Sequence, residues 1–213
     1  MKPTLFYIYD ALCGWCYGFS PVVSELESKY NDDFNFRVLS GGMVTGDRVS
    51  TLEKVSSFII DSFRNVEEKT NVQFGPEFIK KLEADSQELY SSEPAAMAMA
   101  HFRTLLPQKE VAFASRIQNA IYYQGWPPAN WETYANCAAD FDLDRAAFLK
   151  DIQKEELHKL VQREFEVVAN WGIKGFPSLI LQKGEKAYVL SRGYNTLENI
   201  EKTIALIEAE LKA

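Results

Sequence analysis

Hydrophobic and polar positions change their period several times along this chain. Residues 4–9 form a β-branched and aromatic run that predicts a strand. Phe19, Val22, Val23, Leu26 and Tyr30 then recur at helical spacing, which predicts a helix over 13–30. Pro21 lies inside it and should kink the axis, because proline removes a backbone hydrogen bond. After an Asn31-Asp32-Asp33 turn, residues 34–39 alternate as a second strand. Strand, helix, strand in that order requires a crossover, so the two strands should be parallel and the unit right-handed. The Gly41-Gly42-Met43 loop that follows permits positive φ or a close approach of backbone to another group.

From 47 to 172 the pattern reads as wholly helical. Leu52, Val55, Ile59, Phe63 and Val66 step by three and four residues. Pro76 opens a short helix bearing Phe78, Ile79 and Leu82, since proline is tolerated in a first turn. Ser92-Glu93-Pro94 opens another, carrying Met97, His101 and Leu105 and ended by Pro107. Val111, Ala114, Ile117 and Ile121 mark the next, and Gly125-Trp126-Pro127-Pro128 breaks it. Asn130 is placed to cap a helix running through Cys137 to Phe141. Asp144 is placed to cap a further one, with Leu143 and Phe148 spaced as a hydrophobic staple. Leu157, Leu160, Val161, Phe165, Val168 and Trp171 form the last stripe, and Gly172 suits a helix C-terminus. More than a hundred residues without a strand, inside an α/β chain, predict an all-helical insertion.

Strands then resume. Residues 175–182 read as a strand led by Pro177, turned by Lys183-Gly184 into an antiparallel partner over 187–190. Leu197, Ile200, Ile204, Ile207 and Leu211 give a final amphipathic helix capped by Asn195 or Thr196.

Composition narrows the function classes. The chain has 213 residues, 46% of them hydrophobic, with 14 Phe, 10 Tyr and 4 Trp, enough to bury a sizeable core. Its net charge of −7 argues against nucleic acid and anionic membrane as partners. No apolar run approaches a membrane span. Residues 1–3 lead directly into a strand, so no signal peptide is expected and the cytoplasm is the expected compartment. Three cysteines suit a catalytic pair plus one bystander in a reducing compartment better than a disulfide framework.

The chemistry concentrates in Asp10-Ala11-Leu12-Cys13-Gly14-Trp15-Cys16, where the first strand becomes the first helix. Cys13 falls at the helix N-terminus, whose free N–H groups and dipole favour negative charge, and the thiolate is the form that attacks disulfides. Cys16 lies one turn on, close enough to close a small disulfide ring. The same spacing is half of a zinc site, but a zinc site needs two further ligands. Cys137, His101 and His158 form no second paired motif, so no metal is expected. His101, His158 and Cys137 sit among apolar helical neighbours and read as structural. Gly14-Trp15 adds no charge beside Cys13, which favours a moderate or reducing potential. Asp10 is placed to support the turn, by capping it or by relaying a proton.

The cysteine motif, Pro21, Gly41-Gly42-Met43, Ser92-Glu93-Pro94 and Gly175-Phe176-Pro177 together resemble the DsbA-like thiol oxidoreductases, and within them the cytoplasmic FrnE-like branch. The resemblance runs along essentially the whole chain. It implies an α/β thioredoxin fold (βαβ…ββα) with a large all-helical insertion. The thioredoxin-like part would be 1–46 and 156–213, and the inserted helical domain 47–155. It also implies Cys13 as nucleophile, Cys16 as resolving thiol, and Pro177 as a cis-proline facing them. Trp15, Phe176, Pro177 and Met43 are the expected substrate-binding residues, with Asp10 and Gly14 in support. The expected activity is protein-disulfide reduction or isomerisation on polypeptides carrying thiols or disulfides. No cofactor is expected beyond the redox disulfide itself, with glutathione or a thioredoxin-type reductant as recycling partner. The rival reading is a glutathione-dependent small-molecule isomerase or transferase of the same superfamily, against which the intact Cys13/Cys16 pair counts.

Overall fold

The computed structural model describes residues 2–84 and 86–212, with side chains to 210. Leu211, the last member of the final predicted stripe, lies outside the described side chains, and residue 1 outside the described residues.

Strand β1 (Thr4–Tyr9) leads through a short turn into α1 (Gly14–Tyr30) and then β2 (Asn35–Ser40). β1 and β2 run parallel, in register from Thr4 opposite Asn35 to Tyr9 opposite Ser40. The pleat decides what each residue of β1 touches. Leu5, Tyr7 and Tyr9 point into the main core, whereas Ile8 points to the other face against Leu39, Val168 and Ile180.

The middle of the chain is helical with one exception. A two-residue strand β3 (Ser50–Thr51) precedes α2 (Leu52–Thr70) and α3 (Pro76–Glu83), and pairs antiparallel with β4 (Leu89–Tyr90). The expected strand-free block is corrected here. Two residues are too few to show alternation, and their partners lie far apart in sequence, so no local pattern carries this ladder. Then come α4 (Glu93–Leu105), α5 (Glu110–Tyr122), α6 (Trp131–Ala139), α7 (Arg145–Asp151) and α8 (Glu155–Asn170). Asn130 caps α6 by accepting from the Glu132 N–H, and Asp144 caps α7 by accepting from the Ala147 N–H. Helix α6 stops at Ala139, two residues before Phe141. On α8, Val161 and Val168 are buried but Leu160 is exposed, so its core stripe is narrower than expected. Trp171 lies past the end of that helix, half exposed, with its ring edge-on to Phe6. Gly172 follows in the left-handed conformation that ends the helix, as glycine allows.

Strand β5 (Ser178–Lys183) starts after Pro177, three residues later than the sequence pattern places it. A proline has no N–H to give a ladder, and the Phe176–Pro177 peptide is cis. β6 (Lys186–Arg192) returns as a hairpin, and α9 (Leu197–Lys212) closes the chain. The sheet order is β2-β1-β5-β6, with β1 parallel to β2 and antiparallel to β5. This is a thioredoxin-like sheet bearing additional helices.

One hydrophobic core joins the helical block to the sheet. It runs from Leu5, Tyr7 and Tyr9 through Phe19 and Val23 of α1 to Phe102, Phe113 and Ile117. Phe102 and Phe113 stack with ring centroids 3.8 Å apart. A buried charge cluster makes a second joint. β2 is an edge strand, and its outward polar groups are met by side chains rather than by another strand. Glu110 accepts from the Val38 N–H at 2.8 Å, Glu164 accepts from the Ser40 N–H at 2.7 Å, and Arg103 donates to the Val38 carbonyl. Arg103 is ion-paired to both carboxylates. No described helix is long and apolar enough to cross a membrane.

Candidate active site

The turn between β1 and α1 is held by Asp10. Its carboxylate accepts from the Leu12 N–H at 2.9 Å, the Met43 N–H at 2.7 Å and the Ser92 hydroxyl at 2.8 Å. Its backbone carbonyl accepts from the Cys13 N–H at 3.1 Å. Ser92 in turn accepts from the Val44 N–H, so one buried carboxyl ties the cysteine turn, the 41–44 loop and the start of α4. Burial pushes the Asp10 pKa up, and those donated hydrogen bonds pull against it.

Cys13 occupies the N-cap of α1 with extended backbone, and no side chain caps the helix there. Its Sγ lies 3.5 Å from the carbonyl oxygen of Phe176, to which the thiol donates. Cys16 is one turn inside the helix and fully buried. Burial pushes the Cys16 thiol well up, and its hydrogen bond with Cys13 adds to this. Both thiols are free. The two sulfurs therefore differ in kind, one at the edge of a cleft and one behind it in the core.

The cleft in front of Cys13 has a volume of about 610 Å³, within the range of ligand-binding pockets. Trp15, Met43 and Phe176 line it together with Cys13 and Gly14. Pro177 does not. It is buried behind Phe176, and its carbonyl accepts from the Gly193 N–H at 2.7 Å. Trp15 is half-buried, its ring 6.3 Å from that of Tyr194. Gly41 carries a steric requirement: a Cβ there would lie 2.0 Å from the Phe176 ring. Gly42 has a φ of 68°, and a Cβ there would meet the Phe165 ring. At Gly14 a Cβ would make only ordinary contact with Phe74, so packing does not explain that glycine.

Several cleft residues have no mark in the local sequence. Phe58, Ile59, Phe63 and Val66 of α2 line the cleft, as do Arg48 and Lys174. The stripe on α2 is visible as helix periodicity, but periodicity does not say that Ile59 faces a cleft rather than core. Ser92 is legible as a helix opener and not as a partner of Asp10. The remaining candidates stay apart from the cysteines. His101 lies 3.7 Å from Asp151, His158 lies 3.4 Å from Glu93, and neither lines the cleft. Cys137 is fully buried, and burial pushes its thiol up to about 12.

Comparison with known proteins agrees with this fold. Residues 6–202 match the family model described as Thioredoxin. The chain is 27% identical over 173 residues to the ClpXP adapter protein SpxH of Bacillus cereus, an alignment covering 80% of this chain and 56% of that protein. It thus spans little more than half the length of the curated relatives it matches. Among solved structures, a candidate protein disulfide isomerase from Nitrosomonas europaea superposes with a TM-score of 0.85 at 26% identity, covering 99% of both chains. The cytosolic disulfide reductase DsbM from Pseudomonas aeruginosa superposes with a TM-score of 0.77 at 24% identity, covering 98% of both. DsbM has also been solved with GSH, and DsbA oxidoreductases share the fold at lower identity.

Proposed function

This chain belongs to the thioredoxin family, and we propose that within it the protein is a cytoplasmic thiol–disulfide oxidoreductase that reduces or isomerises polypeptide disulfides through Cys13 and Cys16. The observation that carries the reading is the asymmetry of the two sulfurs, Cys13 at the helix N-cap on the cleft and Cys16 buried one turn behind.

The chemistry follows from that asymmetry. The Cys13 thiolate attacks one sulfur of a substrate disulfide. A Cys13–substrate disulfide forms and the other substrate sulfur leaves as a thiolate. Cys16 then gives up its proton and attacks the Cys13 sulfur, forming the Cys13–Cys16 disulfide and releasing the second substrate thiolate. Two electrons pass from the dithiol to the substrate. If a substrate thiol attacks first, the result is isomerisation and the dithiol is regenerated. Burial disfavours the Cys16 thiolate, so its attack requires the proton to be taken from it in that step. The carbonyl of Phe176, beside Cys13, offers an acceptor to an extended substrate backbone, in the manner of an added strand. Glutathione or a thioredoxin-type reductant recycles the disulfide. DsbM, which shares this fold, has been solved with GSH, which bears on the first of these two.

Insulin reduction and scrambled-ribonuclease refolding, run beside a glutathione-conjugation assay, test the reading. Turnover in the first two and none in the third is expected. Conjugation activity without disulfide exchange would instead select the small-molecule transferase. The match to SpxH favours one further reading, a polypeptide adapter. That role needs no thiolate, so Cys13→Ser would leave it intact while abolishing exchange.

A further inference from the structure

The charged groups lining the cleft are all of one sign. Among the described residues, Arg48 and Lys174 are its charged lining residues, and no described Asp or Glu lines it. A second cavity of about 460 Å³ adjoins it across the 173–176 loop, sharing Lys174 and Phe176, and its one further charged residue is Arg192. That makes three cations along the two cavities and no acid among their described lining residues, in a chain whose net charge is −7.

Nor are these cations held in an ion pair among the described residues, as several other arginines are. Arg37, Arg103, Arg116 and Arg145 are each ion-paired to a carboxylate. Arg48 spends one nitrogen on its own loop, Nη2 donating to the Gly42 carbonyl at 2.9 Å and to the Thr45 hydroxyl. Its other guanidinium nitrogens, and the side chains of Lys174 and Arg192, form no ion pair with a carboxylate among the described residues. A solvated cation is common on any surface. Three without an ion pair along two adjoining cavities, two of them on the cleft that Cys13 lines, with no acid among the described lining residues, make a field that concentrates anions there.

Resting on the oxidoreductase reading above, we propose that Arg48, Lys174 and Arg192 make this cleft selective for disulfides that carry carboxylates close to the sulfur. Two sources share that chemistry, an acidic stretch of polypeptide and a small carboxylate-bearing disulfide such as oxidised glutathione. In either case the step is the same: the Cys13 thiolate takes one substrate sulfur, the other leaves as thiolate, and the dithiol supplies both electrons. The cations act on binding and on the approach of the anion, not on the bonds that change.

The test uses full-length protein, reduced beforehand and freed of reductant, in single-turnover stopped flow. The probes are disulfide peptides of one length with Glu, Gln or Lys flanking the cysteine, and oxidised glutathione with its amidated counterpart. At low ionic strength the Glu peptide should react about tenfold faster than the Lys peptide, the scale of one to two exposed charge contacts. Added salt should shrink that ratio. Combining Arg48→Gln with Lys174→Gln should bring it close to one, whereas Arg48→Lys, which keeps the charge, should preserve it. A charge effect in the peptides points to polypeptide, and one confined to glutathione points to the small disulfide. Equal rates for all three peptides and for both glutathione forms would overturn the proposal and leave the oxidoreductase reading standing. So would a ratio that survives in the double variant. Failure to react with any disulfide would overturn both.

Discussion

At the scale of single residues, the site depends on small clearances as much as on its two sulfurs. Gly41 leaves room for the Phe176 ring, whose backbone carbonyl sits beside Cys13. Gly41→Ala would drive a methyl group into that ring, and an overpacked contact of this kind typically costs about 1–3 kcal/mol. The ring should swing toward the cleft and crowd Cys13, so peptide-disulfide exchange should fall by about tenfold or more, since a small misplacement at a reacting centre can cost a factor of about 100. Stopped-flow rates on a variant shown to be folded by circular dichroism would check it, and unchanged rates would contradict the role given to Phe176. A second residue, Glu27 on α1, titrates where cells live. It is half-buried, and burial pushes its carboxyl up to about 7, with Lys109 pulling the other way. Its folded pKa is therefore above its unfolded value near 4.5. Stability from the protonated form is fully present below that unfolded value and is lost as pH rises through about 7. Urea denaturation at either end of that window should show the loss, and Glu27→Gln should flatten it.

At the scale of elements, what could be read from sequence is what fits within one turn or one strand. The strand running into a cysteine-bearing helix, the Asn130 and Asp144 caps and the glycine-ended α8 each depend on residues a few positions apart. What could not be read depends on partners brought from far away. The β3–β4 ladder, the Asp10–Ser92 hydrogen bond and the cleft wall from α2 all join segments that the local pattern treats as independent. The docking of the helices on β2 belongs to this second class. Glu110 and Arg103 sit on helices whose sequences read as ordinary amphipathic ones, and only the fold turns them toward a strand edge. Glu110→Ala would leave the Val38 N–H unpaired and strip Arg103 of one of its two carboxylates. Removing one partner of a buried ion pair typically costs about 3–5 kcal/mol. The denaturation midpoint should fall accordingly. A change of under about 0.5 kcal/mol, the level of an indifferent surface substitution, would contradict the joint described here.

At the scale of the whole molecule, a thioredoxin-like sheet supplies the reactive dithiol and the added helices supply part of the lining of the cleft before it. Neither part makes the site alone, because Asp10 on the sheet side is bound to Ser92 at the head of α4. The central claim is a division of labour between two sulfurs in different surroundings, and trapping tests it most directly. Reduced Cys13→Ser and Cys16→Ser proteins would each be incubated with a disulfide peptide and their intact masses measured. The prediction is a stable mixed disulfide on Cys13 in the Cys16→Ser protein and no adduct in the Cys13→Ser protein. An adduct on Cys16 in the Cys13→Ser protein, with none on Cys13 in the other, would contradict it.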